Sequence, residues 1–150
     1  MARLGLDRSN VHLVGPLPDR QRRDLLRHSW VHVHLNAPFV PGADLLEAMA
    51  TGALVVGSRT PPVEEVVTHG RNGLLVPFDG PEALAEVLDA ALASPGAHDE
   101  LRRAARRHVM RNHDRRDRLA AMGRLLDDVV AGRPAAAVEG SVRTRLDGSP

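Results

Sequence analysis

The residues best suited to chemistry lie between positions 15 and 47. Glu47 offers a carboxylate inside Leu45-Leu-Glu-Ala-Met-Ala-Thr51, a segment that reads as a short helix. Glu47 sits close to the N-terminus of that helix, and phosphates and sugars tend to bind where strand ends meet helix starts in an α/β sheet. Asp44 stands three residues earlier, which is capping-box spacing, so Glu47 could instead serve the start of the helix. Gly42-Ala43-Asp44 forms the turn into that helix. Backbone N–H groups at such a turn favour an anion. Asp44 works against that use, because its carboxylate would compete for the same donors. Gly15 ends the run Val11-His-Leu-Val14 and begins a turn.

His32 and His34 alternate with Val31, Val33 and Leu35 and therefore share one side of a strand. As metal ligands they lack a third partner at a recognisable spacing, so packing under a helix is the favoured reading and no metal site is expected. No Ser-His-Asp set and no Walker loop is evident, and there is no cysteine, which excludes disulfides and thiolate metal sites. Positions 99–118 carry eight arginines against four carboxylates. All 20 basic residues are arginine, so the cluster reflects coding bias and reads as a solvated helix face. No aromatics interleave to stack on bases, and the net charge is only +1, so no nucleic-acid partner is expected.

The elements that must position these groups alternate. Strands are expected at 11–14, 31–35, 53–57 and 74–76, and helices at 19–29, 45–51, 63–69 and from 81 to 92. A longer helical stretch over 99–131 should break at Asn112-His113-Asp114. Asp44 is expected to cap the second helix and Gly52 to close it. Such alternation implies an α/β fold with a parallel sheet and flanking helices, followed by C-terminal helices. The 150 residues suffice for one domain, expected over 1–131, with a disordered tail over 132–150. No apolar run approaches a membrane span and no leader is evident, so a cytoplasmic protein is expected.

Three segments together resemble a known family: Val-His-Leu-Val-Gly-Pro-Leu (11–17), Glu-Ala-Met-Ala-Thr-Gly-Ala-Leu-Val-Val-Gly-Ser (47–58) and Glu-Glu-Val-Val-Thr-His-Gly-Arg-Asn-Gly-Leu-Leu-Val (64–76). They are similar to the C-terminal lobe of the retaining glycosyltransferases of family 4, or group 1, over roughly residues 8–115. The resemblance implies the GT-B fold, with two Rossmann-like lobes and the active site between them. It implies a nucleotide diphosphate sugar as donor, no cofactor, and transfer with retention at the anomeric carbon. Glu47 would accept from the ribose hydroxyls, the Gly42-Ala43-Asp44 turn would approach the diphosphate, and Gly15 would flank the base. The family's second glutamate, near the donor sugar, is replaced by Phe39. Glu65, Gly70, Asn72 and Gly73 match as architecture. No catalytic residue can be assigned.

The resemblance also implies missing parts. Residues 11–14 would be strand 3 of a sheet ordered 3-2-1-4-5-6, and strands 1 and 2 have no counterpart in the chain. Alternatively, residues 11–14 would pair with 31–35 in a four-stranded sheet. The acceptor lobe is missing as well, so the chain reads as a fragment that binds donor weakly by itself. A separate chain carrying the N-terminal lobe is the expected partner, with peripheral membrane contact as a weaker second. The alternative is a non-catalytic remnant or interaction module that keeps the fold without the site.

Overall fold

The structure is a computed structural model that describes residues 9–37 and 42–133. Expectations placed on 1–8, Phe39 and most of the tail, from residue 134 onward, lie outside the described residues. The order is α1 (Asp19–His28), β1 (Val31–His34), α2 (Ala43–Thr51), β2 (Leu54–Ser58), α3 (Pro61–Glu64), β3 (Leu74–Val76), α4 (Pro81–Ala93), α5 (Asp99–Asn112) and α6 (Arg115–Val130). A 3-10 turn, Pro95–His98, links α4 to α5.

The three strands form an open parallel sheet in the order β1-β2-β3. Val31 pairs with Leu54 and Val56 with Leu74, which sets the register on both sides of β2. All five residues of β2 are buried, as the continuous apolar run Ala53–Val56 requires of a strand covered on both faces. Helix α2 contributes Leu45, Ala48 and Met49, none of them exposed, to a core shared with Val55, Val63, Val67 and Leu75. Ala105 and Val109 of α5 and Leu26 of α1 complete it.

Helix α2 is held at both ends. Gly52 closes it with φ 88°, a left-handed conformation that glycine adopts without strain, and its N–H donates to Met49 O. Arg102 and Arg106 of α5 then donate to the carbonyls of Gly52 (2.6 Å) and Ala50 (2.8 Å). These cations meet the negative end of the helix dipole. Arg102 also lies over Trp30, 4.3 Å from the ring centroid. Part of the arginine stretch is thus structural, while Arg103 and Arg107 pair with Glu100 at the surface.

Other side chains replace missing ladder bonds. Buried Asn72 accepts from Thr68 N (2.6 Å) and donates to Val66 O (3.0 Å), fixing the turn ahead of β3. Gly73 allows that turn to approach β2, since a Cβ there would meet Val67 Cγ1 at 2.7 Å and Val55 O at 3.2 Å. Ser58 Oγ accepts from Asn36 N and donates to Asn36 O, tying the chain after β1 to the end of β2.

Three expectations are corrected. Residues 11–14 form no strand, and the sheet has three strands rather than four. No strand among the described residues offers them a ladder, and Leu13 is 95% exposed. Helix α3 begins at Pro61 and ends at Glu64, because proline suits the first helical position. Asp44 does not cap α2: the N-cap is Gly42, and Asp44 is the second helical residue. Arg133, at the start of the expected tail, pairs with Asp128 at 2.9 Å.

The expected break is present. Helix α5 ends at Asn112 and α6 starts at Arg115, with Asp114 accepting from Arg116 N at 2.7 Å. Leu119, Met122, Leu126 and Val129 form an apolar stripe along α6, and no residue of that helix is buried.

Candidate functional site

The C-terminal end of β1 and the N-terminal end of α2 meet at one edge of the sheet, which is where ligands gather in open α/β sheets. Ala43 opens α2 from Gly42, and no side chain caps that end. The N–H groups of Ala43 and Asp44 therefore keep their capacity for an anion, whereas that of Leu45 donates to Gly42 O at 3.2 Å. Asp44 does not occupy them as a cap. Its Oδ2 lies 3.2 Å from His34 Nδ1 and 3.9 Å from His32 Nε2. Its Oδ1 lies where a side chain at Gly42 would begin.

Glu47 faces α1 rather than the helix start. Arg22 donates from Nε to Oε2 (2.8 Å) and from a terminal nitrogen to Oε1 (2.9 Å), a bidentate pair across two packed helices. The capping-box alternative is thereby removed. Asp19 takes a further contact with the same guanidinium at 3.1 Å. Arg22 is held more firmly protonated than a free arginine, through its hydrogen bond to Glu47 and then the carboxylate's charge. A carboxylate has about four lone-pair positions, so a bidentate arginine leaves two for other donors. Glu47 is 31% exposed, enough for a ligand to reach those two.

The two histidines behave as the alternation required, lying on one face of β1 with ring centroids 6.0 Å apart. Burial pulls the pKa of His32 below the ordinary histidine value; Asp44 opposes this shift and His34 reinforces it. Nε2 of His32 and Nε2 of His34 are buried without a hydrogen-bond partner. The third partner that the spacing did not reveal is Asp44, ten residues beyond His34. The sequence carried no signal for this, because a loop with two prolines separates them.

Of the anticipated site residues, Gly42, Ala43, Asp44 and Glu47 share the first turns of α2. Gly15 stands apart, in an exposed segment ahead of α1, with φ 61°. Arg22 was missed: on the sequence it is one arginine among several in a polar helix.

Comparison with known proteins now bears on this arrangement. The family model described as "Glycosyl transferases group 1" matches residues 4–108. The chain belongs to this family. It is 35% identical over 86 residues to a D-inositol 3-phosphate glycosyltransferase of Jonesia denitrificans, covering 55% of this chain and 20% of that protein. A D-inositol 3-phosphate glycosyltransferase of Kribbella flavida is 33% identical over 107 residues, covering 71% and 25%. Among solved structures, sucrose-phosphate synthase from Thermosynechococcus elongatus matches with TM-score 0.63 and 30% identity, over 69% of this chain and 26% of that one. HepE from Anabaena, in complex with UDP, matches with TM-score 0.61 and 20% identity, over 72% and 29%. The chain thus spans a quarter or less of these curated relatives. The three parallel strands and flanking helices are the corresponding part of a GT-B glycosyltransferase fold. Among the described residues no helix is long and apolar enough to cross a membrane.

Proposed function

We propose that this chain is the donor-binding part of a retaining glycosyltransferase, which holds a nucleotide diphosphate sugar while a separate polypeptide supplies the acceptor side. The observation that carries this reading is the position of Glu47. It sits in the first turns of α2, beside an uncapped helix start at the end of a parallel sheet, with Arg22 fixing its carboxylate. The uncapped N–H groups of Ala43 and its neighbours suit a diphosphate. The two remaining lone-pair positions of Glu47 suit the vicinal hydroxyls of a ribose. Family membership supports the reading, as do the complexes of HepE with UDP and with UDP-glucose. Gly15 is kept as a base-flanking residue by resemblance alone.

A separate partner chain is supported by apolar surface that the described residues leave uncovered. This includes Val33, Leu35 and the stripe on α6. Alone, the chain would bind donor weakly. A second reading, a non-catalytic module, is favoured by one feature: Asp44 places a negative charge in the first turn of α2, next to the position a diphosphate would take.

Titration calorimetry with UDP- and GDP-sugars tests the first reading. One of them should bind, and Glu47→Ala should weaken that binding about tenfold or more, since charge-assisted hydrogen bonds each contribute ~1.5–3 kcal/mol. Equal binding by the two proteins would remove Glu47 from the site.

A further inference from the structure

We propose that His32, His34 and Asp44 form a binding site for a zinc-class divalent cation, with a fourth coordination position left open. The three side chains offer one nitrogen, one nitrogen and one carboxylate oxygen, all within 4.8 Å of one another. Two zinc–ligand bonds of about 2.0–2.1 Å span at most ~4.2 Å between ligand atoms. His34 Nδ1 to Asp44 Oδ2 at 3.2 Å and His32 Nε2 to the same oxygen at 3.9 Å already fall inside that reach. The third pair, between the two histidine nitrogens, lies within 4.8 Å and would have to close on the cation.

The scaffold is of the kind that holds metals well. The histidines project from one face of a strand whose neighbour in the sheet is fully buried. Asp44 projects from the first turn of α2, itself anchored in the core by Leu45. His34 is only 8% exposed, and His32 is 18% exposed. Nε2 of His32 is shielded from solvent, makes no hydrogen bond and faces the carboxylate. A bound cation would satisfy that nitrogen, which otherwise carries a desolvation cost with no return.

Two imidazoles and one carboxylate favour zinc or its neighbours over magnesium or calcium, which take oxygen ligands. Three protein ligands make an open site rather than a closed structural one. Asp44 is 47% exposed, so the open position lies on the solvent side and accepts water or an anionic oxygen. The site also changes the meaning of Asp44. Alone, its charge opposes an anion at the start of α2; with a dication, the same cluster attracts one. Metal binding itself does not depend on the donor-binding reading.

The test uses the untagged full chain and cobalt(II), whose visible d–d absorption reports a four-coordinate site, followed by competition with zinc. One equivalent of cobalt should bind and be displaced by zinc, and zinc should raise the melting temperature. His34 is buried, so the variants of choice are His32→Gln and Asp44→Asn, with His28→Gln as control. His28 lies on α1 and contacts Asp24 O instead. Loss of an outer partner of a metal ligand costs about 10–100-fold in affinity, and loss of a ligand should cost at least that. Both variants should therefore lose the cobalt spectrum while melting cooperatively without metal, and His28→Gln should keep it. An absent d–d spectrum in the wild-type chain, or wild-type affinity in His32→Gln, would overturn the proposal. Neither result bears on the nucleotide-sugar titration, which is run in the presence of a chelator.

Discussion

Met49→Ala is expected to lower the unfolding free energy by about 2–5 kcal/mol. Met49 has no exposed surface and lies in the core cluster beside Ala48, between the sheet and α5. Removing its thioether chain leaves a cavity lined by Leu, Val and Ala, and among the described residues no aromatic and no other methionine side chain is part of that cluster to fill it. Typical domains are stable by only about 5–15 kcal/mol, so this one change removes a large share of the total. The consequence reaches the site, because Met49 and Glu47 ride on the same helix. If α2 loosens, the carboxylate and the uncapped N–H groups lose their platform together. Urea unfolding followed by circular dichroism measures the effect. A loss below about 1 kcal/mol would mean that α2 is not docked as described.

The second large effect is expected from Arg22→Ala. The bidentate pair holds both oxygens of Glu47 in one plane and leaves the outer lone pairs free. Without Arg22 the Glu47 side chain must be ordered by the ligand itself, at about 0.5–1.5 kcal/mol for one side chain. Nucleotide-sugar affinity should therefore fall roughly three- to tenfold, while stability changes little, as expected for an ion pair open to solvent. Arg22→Lys should not restore the affinity, because an ammonium is a point charge without the planar fork. An increase in affinity on Arg22→Ala would show the opposite arrangement, in which Arg22 blocks Glu47 and holds the site closed.

How much of this was legible in the sequence differs from element to element. Leu54–Ser58 was readable because a continuous apolar run implies burial on both faces, which the sheet delivers, and Val31–His34 was readable as a strand from its alternation, although its burial runs from half-buried Val31 and His32 through exposed Val33 to buried His34. The break at Asn112–Asp114 was readable because the apolar stripe stops there and a capping residue follows. The strand at 11–14 was misread for a physical reason. Its β-branched run is a real propensity, but a strand exists only against a partner, and the described residues supply none. Asp44 was misplaced because spacing cannot tell which residue of Gly42-Ala43-Asp44 leaves the helix first. Here Gly42 does, and Asp44 is released to meet His32 and His34. The Arg22–Glu47 pair spans 25 residues and depends on how two helices cross, which no local pattern encodes.

The corrections converge on one edge of the sheet. Capping was the competing role for both Asp44 and Glu47, and neither carboxylate performs it. Glu47 is oriented by Arg22, and Asp44 is turned toward two histidines. The helix start beside them keeps the N–H groups of Ala43 and Asp44 free of any side-chain cap. The two proposed ligand chemistries, hydroxyl recognition at Glu47 and cation binding at Asp44, thus fall within one turn of each other.

The central claim is that the first turns of α2 receive the nucleotide sugar. Amide chemical-shift mapping of the nitrogen-15-labelled chain during a UDP-glucose titration, with GDP-mannose in parallel, tests it most directly. The account predicts that the amides of Gly42 to Glu47 and the side-chain Nε of Arg22 shift together with one of the two ligands, even if affinity is weak. Shifts confined to other faces of the molecule, or none in a chain whose amide spectrum is well dispersed, would contradict it.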